Sequence, residues 1–354
     1  MRILIVDDRV PDPHFGAGFP RAYRLLISLI QLGHQVDFFP TIKQTIKDLD
    51  LPMLKNFGVN VVDDIEKLKG ENVDVSIISR PHNVHYYLPI VKKTFPEIKT
   101  IYDTEALWYR RYDLQLSITG KLPGWAYRYD ELNMARNVDY CWVVNAEEKG
   151  ILHENGVKNV KILGHAIEPN YKGLSFEERK DVLVVGGILE EDSSNEDALW
   201  WYLENAWEKS EIALKCNLNV TGKSHSQRLK NCKLIGLNLM GHINDLTSLY
   251  QSQRIFVTIT RFATGIPWKI HEAMANGIPC VVSKLLANQL GVTDGKEALV
   301  CNDPDEAVKK TVELYTNANL WSSIREEGFN LVKRDCDIEK FKNIIQATLD
   351  ELSV

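Results

Sequence analysis

Asp181-Val182-Leu183-Val184-Val185-Gly186-Gly187 is an apolar run that ends in two glycines, and a helical segment, Asn195–Trp207, follows it. The chain opens in the same order. Met1-Arg2-Ile3-Leu4-Ile5-Val6-Asp7-Asp8 leads through a loop rich in Asp, Pro and Gly, ending Gly16-Ala17-Gly18. A helical segment then starts near Pro20, with Tyr23, Leu26, Ile27 and Ile30 on one face, and the strand Gln35–Phe39 comes after Gly33. Strand, loop, helix, strand is the opening of a parallel α/β unit. Further apolar strands are predicted at Val73–Ser79, Lys99–Tyr102, Tyr140–Val144 and Lys161–Leu163 in the first half. The second half supplies Leu218–Thr221, Leu237–Met240, Arg254–Thr258 and Pro279–Ser283. The restart near residue 182 divides 354 residues almost in half, as expected for two domains of about 150 residues each. The reading is an α/β chain of two Rossmann-like, doubly wound domains, residues 1–170 and 171–337. Ile167–Lys180, with Pro169, Asn170, Gly173 and a Glu-Glu-Arg-Lys run, is the expected linker. The amphipathic segment Ile338–Leu352 is expected to be a helix, residues 338–354 packing back on the first domain. Parallel sheets bind ligands at the carboxyl ends of their strands, so two such edges facing each other give an interdomain cleft suited to a large anion.

Composition narrows the partners. Lys and Arg number 42 against 48 Asp and Glu, a net charge of −6, divided as −1 over residues 1–170 and −5 over 171–354. A protein that tracks a nucleic-acid backbone carries a basic excess, so nucleic acid is not an expected partner. The six cysteines (Cys141, Cys216, Cys232, Cys280, Cys301 and Cys336) are scattered without C-x-x-C spacing and read as reduced, small buried residues. The first residues are a strand followed by acids rather than a signal peptide, and no apolar run approaches the ~18–20 residues of a membrane helix. A cytoplasmic location is expected.

The chemistry is concentrated in Arg261-Phe262-Ala263-Thr264-Gly265-Ile266-Pro267-Trp268-Lys269-Ile270-His271-Glu272-Ala273-Met274-Ala275-Asn276-Gly277-Ile278-Pro279. A strand ends near Thr260, a tight turn holds Gly265, Pro267 suits the first turn of a helix, and Gly277 ends it. Amides from Gly265 to Trp268 then point outward with the positive end of the helix dipole, the arrangement of a diphosphate site. Lys269 and Glu272 are three apart and share a helix face. An ammonium there neutralises a phosphate, and a carboxylate one turn deeper accepts from two vicinal ribose hydroxyls. The plain alternative is an ordinary surface Lys–Glu pair.

With these residues the sequence resembles the family-4 glycosyltransferases of the GT-B fold, especially those that build bacterial surface polysaccharides. The matches include Pro11-Asp12-Pro13 with Gly16-Ala17-Gly18 and Arg21, Gly33-His34-Gln35-Val36, Arg80-Pro81-His82-Asn83, and Tyr102-Asp103-Thr104-Glu105-Ala106-Leu107. Leu163-Gly164-His165-Ala166, Val185-Gly186-Gly187, Gly241-His242-Ile243-Asn244-Asp245-Leu246 and the Arg261–Pro279 block continue it. The resemblance implies a nucleoside-diphosphate sugar held mainly by the second domain and a glycan or lipid-linked acceptor held mainly by the first. It also implies retention of anomeric configuration, with no metal and no cofactor. Glu272 matches the second, ribose-binding glutamate of the family's E-x7-E motif. Gly265, Ile266 and Pro267 line the diphosphate, His242 and Ile243 lie on the nucleobase loop, and Gly187 ends the first strand of the donor domain. Gly16 and Gly18 match a loop that approaches the donor phosphates. Two departures stand out. Thr264 occupies the place of the first motif glutamate, and the Arg–Lys pair common after the second domain's first strand is missing, so Arg261 and Lys269 are expected to carry the phosphate charge.

Other candidates keep two readings each. Asp103 and Glu105 follow the strand Lys99–Tyr102, either orienting the acceptor or serving as its base, or capping a helix. His82, at another strand edge, is expected to meet the acceptor, with Trp108, or else the donor. His165 and His271 read as structural, and Trp200-Trp201-Tyr202 as core. Trp108-Tyr109-Arg110-Arg111, Lys121, Trp125 and Arg128 mix aromatic and basic residues, either a contact to a lipid-linked acceptor at the inner membrane face or a solvated helix face. A non-catalytic nucleotide-sugar-binding partner subunit is the alternative function, motivated by Thr264. A dinucleotide-dependent oxidoreductase is disfavoured because neither glycine loop has the required spacing.

Overall fold

Ile3, Ile5 and Val36 point to one side of a sheet and Leu4 and Val6 to the other, and all five are buried. A strand apolar on both faces needs cover on both, which only a parallel sheet with crossover helices supplies. The computed structural model describes residues 1–13, 18–42, 57–170, 174–188 and 191–353. In it the chain forms two units: Met1–Asp113, Leu122–Ala166 and Ile338–Val354 in one, and Leu114–Lys121 and Ile167–Asp337 in the other.

The first unit contains β1 (Arg2–Asp7), β2 (Gln35–Pro40), β3 (Asn60–Val61), β4 (Val75–Ser79), β5 (Lys99–Asp103), β6 (Tyr140–Val143) and β7 (Val160–Ile162), in the order β3-β2-β1-β4-β5-β6-β7. The second contains β8 (Lys180–Val185), β9 (Leu218–Thr221), β10 (Leu237–Gly241), β11 (Gln253–Thr258), β12 (Cys280–Ser283) and β13 (Leu299–Cys301), in the order β10-β9-β8-β11-β12-β13. The paired strands are parallel, with Ile3 opposite Val36 in one sheet and Val182 opposite Ile255 in the other. In each sheet the order reverses at the first strand, between β1 and β4 and between β8 and β11. Loops diverge there, and ligands of doubly wound sheets bind at that point.

The helix Ile338–Leu352 lays Phe341, Ile345 and Leu349 on the face of the first sheet that also takes Leu25, Leu26 and Leu29 from the helix Phe19–Gln31. Thr348 accepts from the Trp142 indole at 3.1 Å, and Glu351 accepts from Tyr140 at 2.8 Å.

Three local expectations gain detail. In the Glu-Glu-Arg-Lys run of the expected linker, Glu177, Glu178 and Lys180 are exposed but Arg179 is fully buried. Its guanidinium donates to the carbonyls of Leu174, Tyr250 and Gln253 and lies 5.4 Å from the Trp321 ring. Of the three adjacent aromatics Tyr202 is fully buried in the core cluster, and Trp200 and Trp201 pack against that cluster from its edge. Trp200 and Trp201 are half-buried, since three successive helical residues cannot share one face, and Arg228 stacks 3.8 Å over Trp200. The helix expected over Asn195–Trp207 runs from Ser194 to Tyr202, then through a π-turn at Leu203–Trp207 into Glu208–Leu214. All six cysteines are free thiols, five of them buried.

Candidate functional site

At the carboxyl edge of the second sheet, beside its reversal point, three glycines let the ends of β8, β9 and β10 touch through backbone. Gly222, at φ 138°, lies so close that a Cβ on it would stand 2.4 Å from the Gly186 carbonyl oxygen. Gly186 donates to Thr221 O at 2.9 Å, and Gly222 to Gly241 O at 2.8 Å. No L side chain fits there without displacing the backbone. His242 beyond them is exposed, and Ile243 packs against the core cluster of that edge.

The loop between β11 and the helix Trp268–Ala275 is pinned from below. Ser283 donates to Thr260 O at 2.6 Å, Gln289 donates to Ala263 O at 2.7 Å, and Phe262 is buried. Gly265 takes φ 82°, turning the chain into the helix. Pro267, expected in the first turn, is the N-cap just before it, with ψ 101°, and among the described residues no side chain caps the terminus. The helix therefore presents its N-terminal amides at the carboxyl edge of β11, where the dipole favours an anion.

Three charged side chains surround that terminus. Lys269 is half-buried, and its ammonium donates to Asn195 Oδ1 at 2.9 Å. Burial pulls its pKa down to about 8. Glu272 accepts from the Tyr250 hydroxyl at 3.2 Å, and burial raises its pKa. Arg261 is held by both oxygens of Asp197, with Nε donating at 2.9 Å to Oδ2. Arg261 thus reaches this edge as half of an ion pair, whereas Lys269 is held by a neutral amide. Thr264 Oγ1, at the place of the missing motif glutamate, is shielded from solvent and has no hydrogen-bond partner among the described residues. Gly187 takes part through its carbonyl, which accepts from Asn195 Nδ2 at 3.0 Å. Asn195 was missed in the sequence, where nothing marks one asparagine in a helix as different.

The reversal point of the first sheet carries a second polar cluster. Arg21 and Asp103, both buried, form a two-pronged pair at 2.7 and 2.9 Å, and Arg21 also donates to Leu163 O at 2.9 Å. Asp103, the last residue of β5, thus has both carboxylate oxygens engaged. Arg80, at φ 73°, donates to Glu105 Oε2 at 2.9 Å and to Asp8, and lies 5.1 Å from the Phe19 ring. Asp8 also receives His82 Nε2 at 2.6 Å and Asn83 Nδ2 at 2.9 Å. These donors hold its pKa well below the usual carboxylate range against the upward push of its burial. Burial pushes the Asp7 carboxyl up to about 8, with Arg80 opposing. Gly18, at φ 90°, sits where a Cβ would be 3.0 Å from Glu105 Oε2. Gly16 lies outside the described residues. Asp7, Asp8, Arg21 and Arg80 were not singled out as site residues, although charges closing apolar strands were a readable signal.

Helix capping by Asp103 or Glu105 does not occur. The amides of Trp108 and Tyr109 donate to Glu131 at 2.9 and 2.7 Å, and Leu107 N donates to Glu148 at 3.1 Å. In the aromatic–basic segment Lys121, Trp125 and Arg128 are exposed, while its rings touch one another. Trp108 stands 5.4 Å from His82 and 6.3 Å from Trp125, whose neighbour Tyr112 is 5.6 Å away, and Arg111 lies over Trp108. His165 and His271 are buried, with His271 Nδ1 3.3 Å from Cys336 Sγ. Among the described residues no group of three or more His, Cys, Asp or Glu side chains is placed to hold a metal ion. No helix among them is long and apolar enough to cross a membrane.

Residues 179–317, inside the second unit, match the family model described as glycosyl transferases group 1. Anabaena HepE in complex with UDP-glucose is 12% identical and superposes with a TM-score of 0.70 over 99% of this chain and 100% of its own. The fold is GT-B. Sucrose-phosphate synthase from Thermosynechococcus elongatus is 13% identical, with a TM-score of 0.71 over 99% of each chain. TarM, of which an S. aureus variant is also known in structure, is 10% identical with a TM-score of 0.76, over 100% of this chain and 99% of its own. No curated protein matches the sequence. In GT-B terms the two reversal points described above belong to the two Rossmann-like domains, and the segment matched by the family model contains the whole Arg261–Glu272 arrangement.

Proposed function

We propose that the protein is a retaining glycosyltransferase that moves a sugar from a nucleoside-diphosphate sugar to a glycan or lipid-linked acceptor in cell-surface polysaccharide synthesis. The observation that carries this reading is the uncapped helix terminus after Gly265, with Lys269 and Glu272 on one face and, among the described residues, no carboxylate bonded to the lysine. UDP, which HepE binds, is the first nucleotide to try. The second unit holds the donor. Its diphosphate lies against the Gly265–Trp268 backbone and Lys269, with the ribose diol on Glu272 and the base near His242 and Ile243.

The bond from the sugar's anomeric carbon to the diphosphate oxygen breaks, and its electron pair stays on that oxygen. The Lys269 ammonium and the helix-terminal amides stabilise the negative charge as it grows. The acceptor oxygen bonds to the same face of the anomeric carbon, and its proton passes to the departing phosphate oxygen. No protein nucleophile is required, and no metal is needed at the diphosphate. The acceptor is assigned to the first unit, near His82, Glu105 and Trp108, with the inner membrane face as the place of work for a lipid-linked acceptor.

The test is donor hydrolysis and UDP binding by Lys269→Ala. Turnover is expected to fall more than affinity, because the ammonium meets more charge in the transition state than in the ground state. Equal losses in both would overturn the assignment. Thr264, in place of a motif glutamate, favours a second reading as a non-catalytic nucleotide-sugar-binding subunit. Tight UDP-sugar binding, with no release of nucleoside diphosphate under any condition, would favour it.

A further inference from the structure

We infer that Asn195 is the positioning residue of the donor site: it holds the Lys269 ammonium in place without neutralising it, so that the charge is left for a diphosphate. The inference rests on the donor-site reading above and adds a residue to it that neither the motif nor the family match points to.

The geometry is a bridge. Asn195 Oδ1 accepts from Lys269 Nζ at 2.9 Å, while its Nδ2 donates to Gly187 O at 3.0 Å. One amide therefore ties the helix after β11 to the glycine turn after β8, across 74 residues of sequence. The side chain is seated tightly, because Gly186 is so near that a Cβ on it would lie 3.0 Å from Asn195 Cγ. That turn cannot drift, since Gly186 is itself locked to the β9 edge by Gly222. The pocket beneath, bordered by Gly186, Asn195, Thr258 and Lys269, has a volume of about 10 Å³, the room of a single water.

The surrounding charges make the choice of a neutral anchor meaningful. Asp197, two residues along the same helix, is taken by Arg261 from the loop after β11. Glu272, one turn along the helix of Lys269, is bonded by Tyr250 from the segment before β11, and Asp245 is a further acid felt by Glu272. His271, between the two, is buried and held neutral by that burial. None of these acids is hydrogen-bonded to Lys269. An ammonium anchored by a carboxylate would have its charge spent and its pKa raised. One anchored by an amide keeps its charge available and, being desolvated, keeps a depressed pKa near 8.

The experiment compares wild type with Asn195→Asp, of the same shape, and Asn195→Ala. Trace acetylation between about pH 6 and pH 10, read by mass spectrometry at Lys269, reports the lysine's pKa without any ligand. UDP affinity by calorimetry over the same range reports its use. In wild type, UDP affinity falls as pH rises through about 8, where Lys269 loses its proton. In Asn195→Asp the labelling pKa and the alkaline limb of UDP binding move up by about one unit or more, and UDP affinity at neutral pH falls about tenfold or more. Asn195→Ala weakens UDP binding less and does not move the limb upward. A merely structural role would make the two variants alike and leave the Lys269 pKa in place in Asn195→Asp; that result overturns the inference. Labelling that shifts as expected in a protein that binds no UDP overturns the donor-site reading while upholding the assignment of Asn195 to Lys269.

Discussion

If Glu272 holds the ribose, removing its carboxylate and removing the ribose hydroxyl should not be independent losses. The carboxylate is half-buried on the helix Trp268–Ala275, with Tyr250 donating to one oxygen at 3.2 Å. Hydrogen bonds to a charged acceptor contribute about 1.5–3 kcal/mol each, so Glu272→Ala loses about 3 kcal/mol or more of nucleotide affinity. At 1.4 kcal/mol per tenfold, that is a loss of about 100-fold. The assay is calorimetric binding of UDP and 2′-deoxy-UDP to wild type and Glu272→Ala, arranged as a double-mutant cycle. Wild type should prefer UDP by about tenfold, the worth of one such bond, and the variant should bind both alike. Because burial raises the Glu272 pKa, the preference should also fade on acidification earlier than for an ordinary carboxylate, as the protonated acid stops being a charged acceptor. A variant that still prefers UDP over the deoxy analogue, or that binds UDP as wild type does, refutes the ribose assignment.

Other consequences follow from the same contacts. Arg21→Met should destabilise the first unit by about 3–5 kcal/mol by leaving Asp103 buried and unpaired, and adding Asp103→Leu should recover most of the loss, as read by amide exchange in β1 and β5. Gly222→Ala should cost about 3 kcal/mol and weaken UDP binding, because its methyl meets the Gly186 carbonyl; an unchanged melting curve would contradict the contact. Asp7 binds its proton more tightly in the folded chain than in the unfolded one, where it titrates as an ordinary aspartate. The stability this contributes is fully present at acid pH and is lost as pH rises through about 8, a slope that Asp7→Asn should flatten in denaturant titrations across pH.

The periodic signals carried the architecture. Strands buried on both faces, such as Ile3–Val6 and Cys280–Val282, read as apolar runs because every position is covered, and the helices between them left an amphipathic stripe. The short strands β3 and β13 were not read from the sequence; two or three residues give no period, although the equally short β7 was placed to within a residue. Neighbouring tryptophans read as core without regard to phase; the helix turn put Tyr202 fully inside and left Trp200 and Trp201 half-buried against the same cluster. The capping alternatives for Asp103 and Glu105 failed for another reason: Glu131 and Glu148, which cap that helix, come from other helices and cannot be paired with it from sequence.

By itself the sequence determined two doubly wound halves and the helix after Gly265 with Lys269 and Glu272 on one face, because both depend on residues close in the chain: a strand, a glycine turn, a helix and residues three apart on it. Only the tertiary structure decided the state of each charge. Arg21 meets Asp103 across 82 residues, Arg261 meets Asp197 across 64, and Lys269 meets Asn195 across 74. These partners come together because the strand order reverses at β1 and at β8 and brings distant loops to one edge. Whether a cation there is already paired with an acid or is held by an amide, and so left for a ligand, is settled by which loop lies beside it.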